Sequence, residues 1–300
     1  MSAREHVLGL DLGGTRVKAL ALTPGGEVIA RETAPSEGSD WQERVKGVVA
    51  ALSERLGPPL VIGVAAPGLA ASDERSIASM PGRLPGLEGL DWSAWLEAPR
   101  GVPVLNDAHA ALLGEVWQGA ARGERDVLLL TLGTGLGGAA MVDGRLLRGR
   151  VGRAGHFGHI TLDAAGAPDI VNTPGSLEDA VGNHSLPRRS GNRYTDTATL
   201  VRDAGRGEPL AAAIWSRTVR DLAAGMVSLI NAFDPAVILV GGGIAEAGDA
   251  LLRPLAGELD RLEWRPAGHR VRIAKAGLGD LAGAFGAARR ALDLHGFHIP

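Results

Sequence analysis

Cysteine is absent from the 300 residues. That excludes disulfides and thiolate metal ligands together. No run reaches the roughly 18–20 apolar residues that a membrane helix needs. The first apolar run, Val7 to Leu10, is cut by Asp11 and is too short for a signal-peptide core. Charge of one sign is also lacking. The net charge is −3, charged residues make up 22%, and acids and bases are interspersed. Such a chain is neither a disordered polyelectrolyte nor a basic nucleic-acid binder, and it has no polybasic membrane patch. The expectation is a soluble cytoplasmic protein that binds neither nucleic acid nor membrane. Glycine, by contrast, is abundant at 44 residues and falls in discrete clusters beside apolar runs. That is the pattern of an α/β protein with many tight strand-to-helix turns. The length allows one large domain or two of medium size.

The first 35 residues predict a β-meander. His6 to Asp11 and Arg16 to Leu22 flank the turn Gly13-Gly14-Thr15, and Glu27 to Thr33 follows Pro24-Gly25-Gly26. Trp41 to Leu56 has helical spacing and ends at Gly57-Pro58-Pro59. Leu60 to Ala65 predicts a buried strand ending at Pro67-Gly68. Val102 to Leu105 predicts another, running through Asn106-Asp107 into a helix over 108–118. The pattern then restarts. Asp126 to Leu132, the turn Gly133-Thr134-Gly135-Leu136-Gly137-Gly138, and Ala139 to Val142 repeat strand, Gly-rich turn and strand, and Asp143-Gly144 makes a hairpin to Arg145–Leu147. This predicts an internal duplication of fold. Residues 150–210 read as irregular. A long amphipathic helix over 209–233, a strand over 236–240 ending in Gly241-Gly242-Gly243, a helix over 245–255, a strand over 270–274 and a closing helix over 282–294 complete the chain.

Three glycine-rich segments occur in order: Asp11-Leu12-Gly13-Gly14-Thr15, Leu132 to Gly138, and Val240-Gly241-Gly242-Gly243. Together they resemble the phosphate-1, phosphate-2 and adenosine motifs of the actin/hexokinase/Hsp70 superfamily. Asn106-Asp107-Ala108, Gly155-His156-Phe157-Gly158-His159 and Leu278 to Ala288 further resemble the ROK family of sugar kinases and repressors. The resemblance covers nearly the whole chain. It implies two RNase H-like (actin-like ATPase) α/β domains around a cleft, one of residues 1–118 plus 283–300 and the other of 119–282. It also implies an ATP- and Mg²⁺-dependent kinase acting on a small-molecule sugar, and a homodimer.

The residues at these motifs have physical reasons to do that work. Glycines let backbone N–H groups approach phosphate oxygens without an intruding Cβ, which suits Gly13, Gly14, Gly133 and Gly135, with Thr15 and Thr134 as hydroxyl donors. Asp11 at a strand end is suited to holding Mg²⁺ through water. Lys18 either reaches a phosphate or stands as a surface lysine. Gly241-Gly242-Gly243 offers a flat backbone for adenine. Transfer to a hydroxyl needs a base, and Asp107 is the candidate. The alternative is that Asp107 merely caps its helix, although Asn106 beside it serves that purpose equally well. The resemblance assigns Asn106, Gly68, His156, His159 and Glu178 to the sugar.

Two departures stand out. In many ROK proteins a histidine, matched by His159, and three cysteines bind a structural zinc. Here Ser176 takes the place of the last cysteine, and Asp163, Asp169 and Asn172 do not replace thiolates, so no zinc is expected. His156 replaces a sugar-site glutamate of the family. Arg83, in Arg83-Leu84-Pro85-Gly86-Leu87, stands in place of an asparagine or is simply a solvated loop residue. Donors in place of acceptors favour a modified or differently configured sugar over plain glucose. Trp92, Trp95 and Trp117 read as packing residues, and Arg188, Arg189 and Arg193 as a solvated loop. Two other functions compete: a catalytically silent sugar- or nucleotide-binding protein, and a regulator. The regulators carry a helix-turn-helix ahead of the first motif, which begins at residue 11 here, so that reading is disfavoured.

Overall fold

The computed structural model describes residues 5–80 and 84–297. Its strands are β1 (Val7–Leu12), β2 (Arg16–Leu22), β3 (Val28–Pro35), β4 (Ile62–Ala66), β5 (Leu69–Ala70), β6 (Ile77–Ser79), β7 (Val104–Asn106), β8 (Val127–Leu132), β9 (Leu136–Val142), β10 (Arg145–Leu146), β11 (Val237–Gly241) and β12 (Arg272–Lys275). Its helices are α1 (Trp41–Leu56), α2 (Trp92–Trp95), α3 (Asp107–Gln118), α4 (Leu177–Val181), α5 (Leu186–Arg189), α6 (Thr197–Gly205), α7 (Pro209–Phe233), α8 (Asp249–Leu262) and α9 (Ala282–Leu294). They form two compact units. The first takes the chain up to Gly123, returns for Arg148–Ala154 and closes with residues from Gly277 on; the second takes Glu124–Leu147 and Gly155–Ala276.

In the first unit the sheet order is β3-β2-β1-β4-β7, with β1, β2 and β3 antiparallel and β4 and β7 added parallel to β1. The side-chain period of two sorts β1 by face. Leu8, Leu10 and Leu12 join the core with Trp41, Val45, Val48 and Leu52 of α1, whose spacing makes one apolar stripe. Val7 faces the other way, toward Ala284 and Ala288 of α9. On that face glycine is required. A Cβ on Gly9 would lie 1.9 Å from the Ala284 carbonyl oxygen, and one on Gly63 2.0 Å from that of Ala287. Helix α9 meets α3 just as closely, since a Cβ on Gly286 would lie 1.6 Å from the Ala110 carbonyl oxygen. Glu115 of α3, fully buried, ties in the chain before α9 by accepting from the amides of Gly277 and Leu278 at 2.9 and 2.7 Å. Buried Glu74 pairs with both Arg148 and Arg290.

The second unit repeats the first sheet: β10-β9-β8-β11-β12, an antiparallel trio with two parallel strands added. The duplication expected from the two strand–turn–strand segments is therefore present in strand order as well. Helix α7 packs Ile214, Val219, Leu222, Met226 and Leu229 against the core of Leu128, Leu130 and Leu132.

Several local expectations change. Residues 150–210 contain α4, α5 and α6. These are short, and capping by Ser176 and Asp196 starts two of them where apolar periodicity is too brief to read. The glycine triplet leads into a 3₁₀ turn, Gly243–Ala247, and α8 begins only at Asp249. It continues past Pro254 because buried Leu251, Leu255 and Leu259 keep its stripe intact. The paired strands β5 and β6 were not read from the sequence. The tryptophans pack as expected: Trp41, Trp92 and Trp95 stand 5.4–6.3 Å apart between ring centroids. The arginine cluster is the expected solvated surface at Arg188 and Arg193, which are exposed, but not at Arg189, which is half-buried in α5. Arg188 pairs with Asp179, Arg193 with Glu208, and burial lowers Arg189 to about 10. Among the described residues, no helix is long and apolar enough to cross a membrane.

Candidate active site

In the first unit the chemistry gathers at the C-terminal ends of β1 and β7. The turn after β1 is closed by the Gly13 amide donating to the Arg16 carbonyl at 2.9 Å, and Gly14 and Thr15 lie exposed at its tip. Ser36, fully buried, braces it by donating from Oγ to the Gly13 carbonyl at 2.6 Å and from its amide to Thr15 at 2.9 Å. Sequence reasoning missed Ser36, which no motif marks. Asp11 lies opposite Lys18 across the β1–β2 ladder and against Gly283, where a Cβ would sit 2.8 Å from the carboxyl carbon. Burial pushes the Asp11 carboxyl up to about 7; Lys18 opposes this and the negative charges of Asp107 and Asp280 add to it. Lys18 itself binds Asp280, through the backbone oxygen at 2.9 Å and the carboxylate at 3.3 Å.

The Asn106-Asp107 pair divides its work. Asn106 is the N-cap of α3: its Oδ1 accepts from the amides of Ala108 and His109 at 3.0 and 3.2 Å. Its Nδ2 donates to the Gly68 carbonyl at 3.0 Å, which fixes the loop after β4. Asn106 is 5% exposed, so a second Nδ2 proton is what it retains for a ligand. Asp107 shares the Ala108 amide through Oδ1 at 2.8 Å. It is exposed, whereas Val102–Asn106 and Ala108–Ala110 are buried. Gly68 has φ +99° and would clash with the Ser79 carbonyl if it carried a Cβ, so the position admits only glycine without strain.

In the second unit the Gly133–Gly138 turn is held from behind by the segment around α4. Glu178 Oε2 accepts from the Leu136 amide at 2.7 Å. A Cβ on Gly135 would lie 2.3 Å from that same oxygen. The amides of Asn183 and His184 donate to the carbonyls of Gly133 and Thr134 at 3.0 and 2.9 Å. His184 also places Nδ1 2.9 Å from the Thr134 carbonyl and Nε2 2.8 Å from Asp179. Burial opposes its charge, but Asp179, the Thr134 carbonyl and nearby Glu178 raise it above the ordinary histidine value. His184 and Asp179 carry no sequence signal. The loop of His156 and His159 packs beside Glu178, because a Cβ on Gly158 would lie 2.3 Å from the Leu136 carbonyl and 3.2 Å from Glu178 Cβ. His159 Nδ1 is 2.8 Å from Asp169 Oδ2. After β11, Gly242 has φ +83° and, with Gly243, is exposed. Arg83 lies outside the described residues. Among the described residues, no group of three or more His, Asp or Glu gathers to hold a metal ion.

The sequence profile of the ROK family matches residues 7–293. A glucokinase from Halalkalibacterium halodurans is 31% identical over 95% of this chain and 94% of its own. The crystal structure of a ROK hexokinase from Thermus thermophilus, 31% identical, superposes with a TM-score of 0.84 over 98% of this chain and 100% of that one. A ROK family glucokinase from Streptomyces griseus, solved in complex with glucose and AMPPNP, is 26% identical with a TM-score of 0.79 over 96% of this chain and 99% of that one. The repeated five-stranded sheets are those of the actin-like ATPase fold, and the chain belongs to the ROK family.

Proposed function

We propose that the chain is an ATP-dependent kinase acting on a hydroxyl of a monosaccharide, a hexose or modified hexose, with Asp107 as the general base. The observation that carries this reading is the division of work at the head of α3. Asn106 supplies the cap, so the exposed carboxylate next to it is not demanded by the helix. A base at that position takes the proton of the attacking hydroxyl as its oxygen bonds to the γ-phosphorus and the bond to ADP breaks. The amides of the two Gly-rich turns, with Gly13, Gly14, Thr15, Lys18, Gly133, Thr134 and Gly135, fall to the phosphates, and Gly241, Gly242 and Gly243 to the adenosine. Gly68, Asn106, His156, His159 and Glu178 fall to the sugar.

Asp11 fits a role beside Mg²⁺. A carboxyl that burial and neighbouring negative charge push up to about 7 is one whose ionised form a nearby dication stabilises. Mg²⁺, when bound, neutralises phosphate charge, and Asp11 would hold it through water. The chain has no thiolate to offer zinc. We further take the enzyme to work as a cytoplasmic homodimer.

The test is ATP consumption by the purified protein across neutral hexoses, N-acetylhexosamines and sugar acids, with and without Mg²⁺. Mg²⁺-dependent formation of a sugar phosphate is expected. Binding of both ligands without turnover would instead mark a silent binding protein. The panel also tests substrate preference, for which His156 is the donor within the described residues. Glucose as the best substrate by tenfold or more would dispose of the preference for a modified sugar.

A further inference from the structure

Asp169 sits at the centre of the loop between His159 and α4, and its side chain is fully buried. One oxygen, Oδ1, accepts from the amides of Val171 and Thr173, both at 2.9 Å. The other, Oδ2, lies 2.8 Å from His159 Nδ1. The Ser176 hydroxyl is a further donor to this carboxylate. Around it, the Asp169 amide donates to Thr173 and the Asn172 amide to Asp169. Four donors spread from residue 159 to residue 176 therefore converge on one carboxylate. Burial opposes that charge, yet the donors hold the carboxyl below the ordinary aspartate range.

This arrangement fixes the histidine. An ionised carboxylate only accepts hydrogen bonds, so His159 Nδ1 must carry a proton. In the neutral ring Nε2 is then the lone-pair nitrogen. The His159 side chain is 27% exposed while its aspartate is sealed. Ser176 joins the hub to the cap of α4, since its Oγ also accepts from the Asp179 amide at 3.3 Å. The next residue but one, Glu178, holds the Gly-rich turn.

We infer that Asp169 is a positioning residue: without any metal it organises the loop over 160–176 and locks His159 in the tautomer that presents Nε2 as a hydrogen-bond acceptor to a hydroxyl of the sugar. The inference rests on the reading of His159 as a sugar contact in a sugar kinase. It gives the histidine one specific job, because an acceptor at that position suits a hydroxyl donor and disfavours an acceptor such as a carbonyl oxygen placed against it.

Asp169→Asn is the informative variant. Asparagine has one acceptor oxygen where the hub uses two, so its NH₂ must face either the loop amides or His159 Nδ1. In the second case the ring is driven to the Nε2–H tautomer. Long-range ¹⁵N–¹H spectra of the full chain at pH 8 should show His159 protonated at Nδ1 in the wild type. In Asp169→Asn they should show protonation at Nε2, or else thermolysin should cleave the loop faster than in the wild type, beside the exposed Ile170 and Val171. The sugar KM should rise tenfold or more, with the ATP KM within about twofold, because the ring would then turn a donor instead of an acceptor toward the sugar hydroxyl. Should Asp169→Ala not fold, Asp169→Asn and Ser176→Ala, which removes one donor and leaves the carboxylate, still read the hub. A wild type that phosphorylates no sugar would be a failure of the kinase reading. An active wild type whose Asp169→Asn variant keeps the His159 tautomer, the loop protection and the sugar KM would overturn this inference alone. A changed tautomer with an unmoved sugar KM would overturn it too.

Discussion

Glu178 Oε2 accepts the backbone amide of Leu136 at 2.7 Å, so one carboxylate of α4 fixes the conformation of the Gly-rich turn that precedes β9. Gly135 is glycine because any Cβ would occupy the place of that oxygen. Replacing Glu178 with alanine strands the Leu136 amide in a partly buried position, at a cost of about 1–3 kcal/mol. The ATP KM should rise roughly tenfold. Glu178→Gln keeps an acceptor for the amide and should restore most of the ATP KM, leaving a defect in the sugar KM. Equal ATP KM values for the alanine variant and the wild type would contradict the bracing role.

Asp107→Asn and Asn106→Ala should separate chemistry from structure. The first removes a base and leaves the cap, so turnover should fall by about 10² or more with sugar and nucleotide binding and melting temperature retained. The second removes both the cap and the anchor on Gly68, and should cost about 1–2 kcal/mol of stability. Wild-type turnover in Asp107→Asn would rule out Asp107 as the base.

Gly286→Ala should destabilise the first unit although alanine is the better helix former. The added Cβ would lie 1.6 Å from the Ala110 carbonyl oxygen, which is backbone and cannot rotate away. Overpacking of this kind costs about 1–3 kcal/mol or more. Gly257, in α8, has open space around its Cβ position, and Gly257→Ala should be neutral or mildly stabilising by the same melting assay.

Glu74→Ala should cost about 3 kcal/mol. It leaves Arg148 and Arg290 without their shared, buried partner, and breaking a buried pair by removing one side is far worse than never having had it. The arginines are 36% and 31% exposed, so water takes up part of the stranded charge and the expected loss does not exceed about 3 kcal/mol. Chemical denaturation of the variant measures it directly.

His184 should make stability depend on pH. Its folded value is raised above 6.5, with burial opposed by Asp179 and the Thr134 carbonyl. A raised value means that the charged imidazole stabilises the fold fully below the unfolded value of 6.5, and that this contribution is lost as pH rises through the folded one. The melting-temperature difference between wild type and His184→Ala should therefore be largest in mild acid and shrink toward alkaline pH. A difference that grows with pH would show that the ring is not held as the cation.

Much of the candidate site was legible because it resides in backbone chemistry. Gly13-Gly14-Thr15, Gly133 to Gly138 and Gly241 to Gly243 announce themselves by composition, and Asn106-Asp107 by its place between an apolar run and a helix. The roles within the pair were not legible, because capping is decided by rotamer and hydrogen bonding; only the fold shows Asn106 taking the amides of Ala108 and His109. Glu178 read as a sugar contact, while its bond to Leu136 spans 42 residues and has no local signal. Ser36, Asp179 and His184 are silent for the same reason.

The sequence by itself determined the strands of the two five-stranded sheets, their turns and the repeated plan, since apolar alternation and glycine placement act over a few neighbouring residues. It also excluded thiolate zinc, since cysteine is missing altogether. Only the tertiary structure decided what stands behind each motif: Gly283 against Asp11, α4 behind the second Gly-rich turn, and Asp169 beneath His159. Those are contacts between residues brought together by burial. A buried carboxylate is chosen by the donors that surround it, and they are set by the packing of whole elements rather than by local sequence.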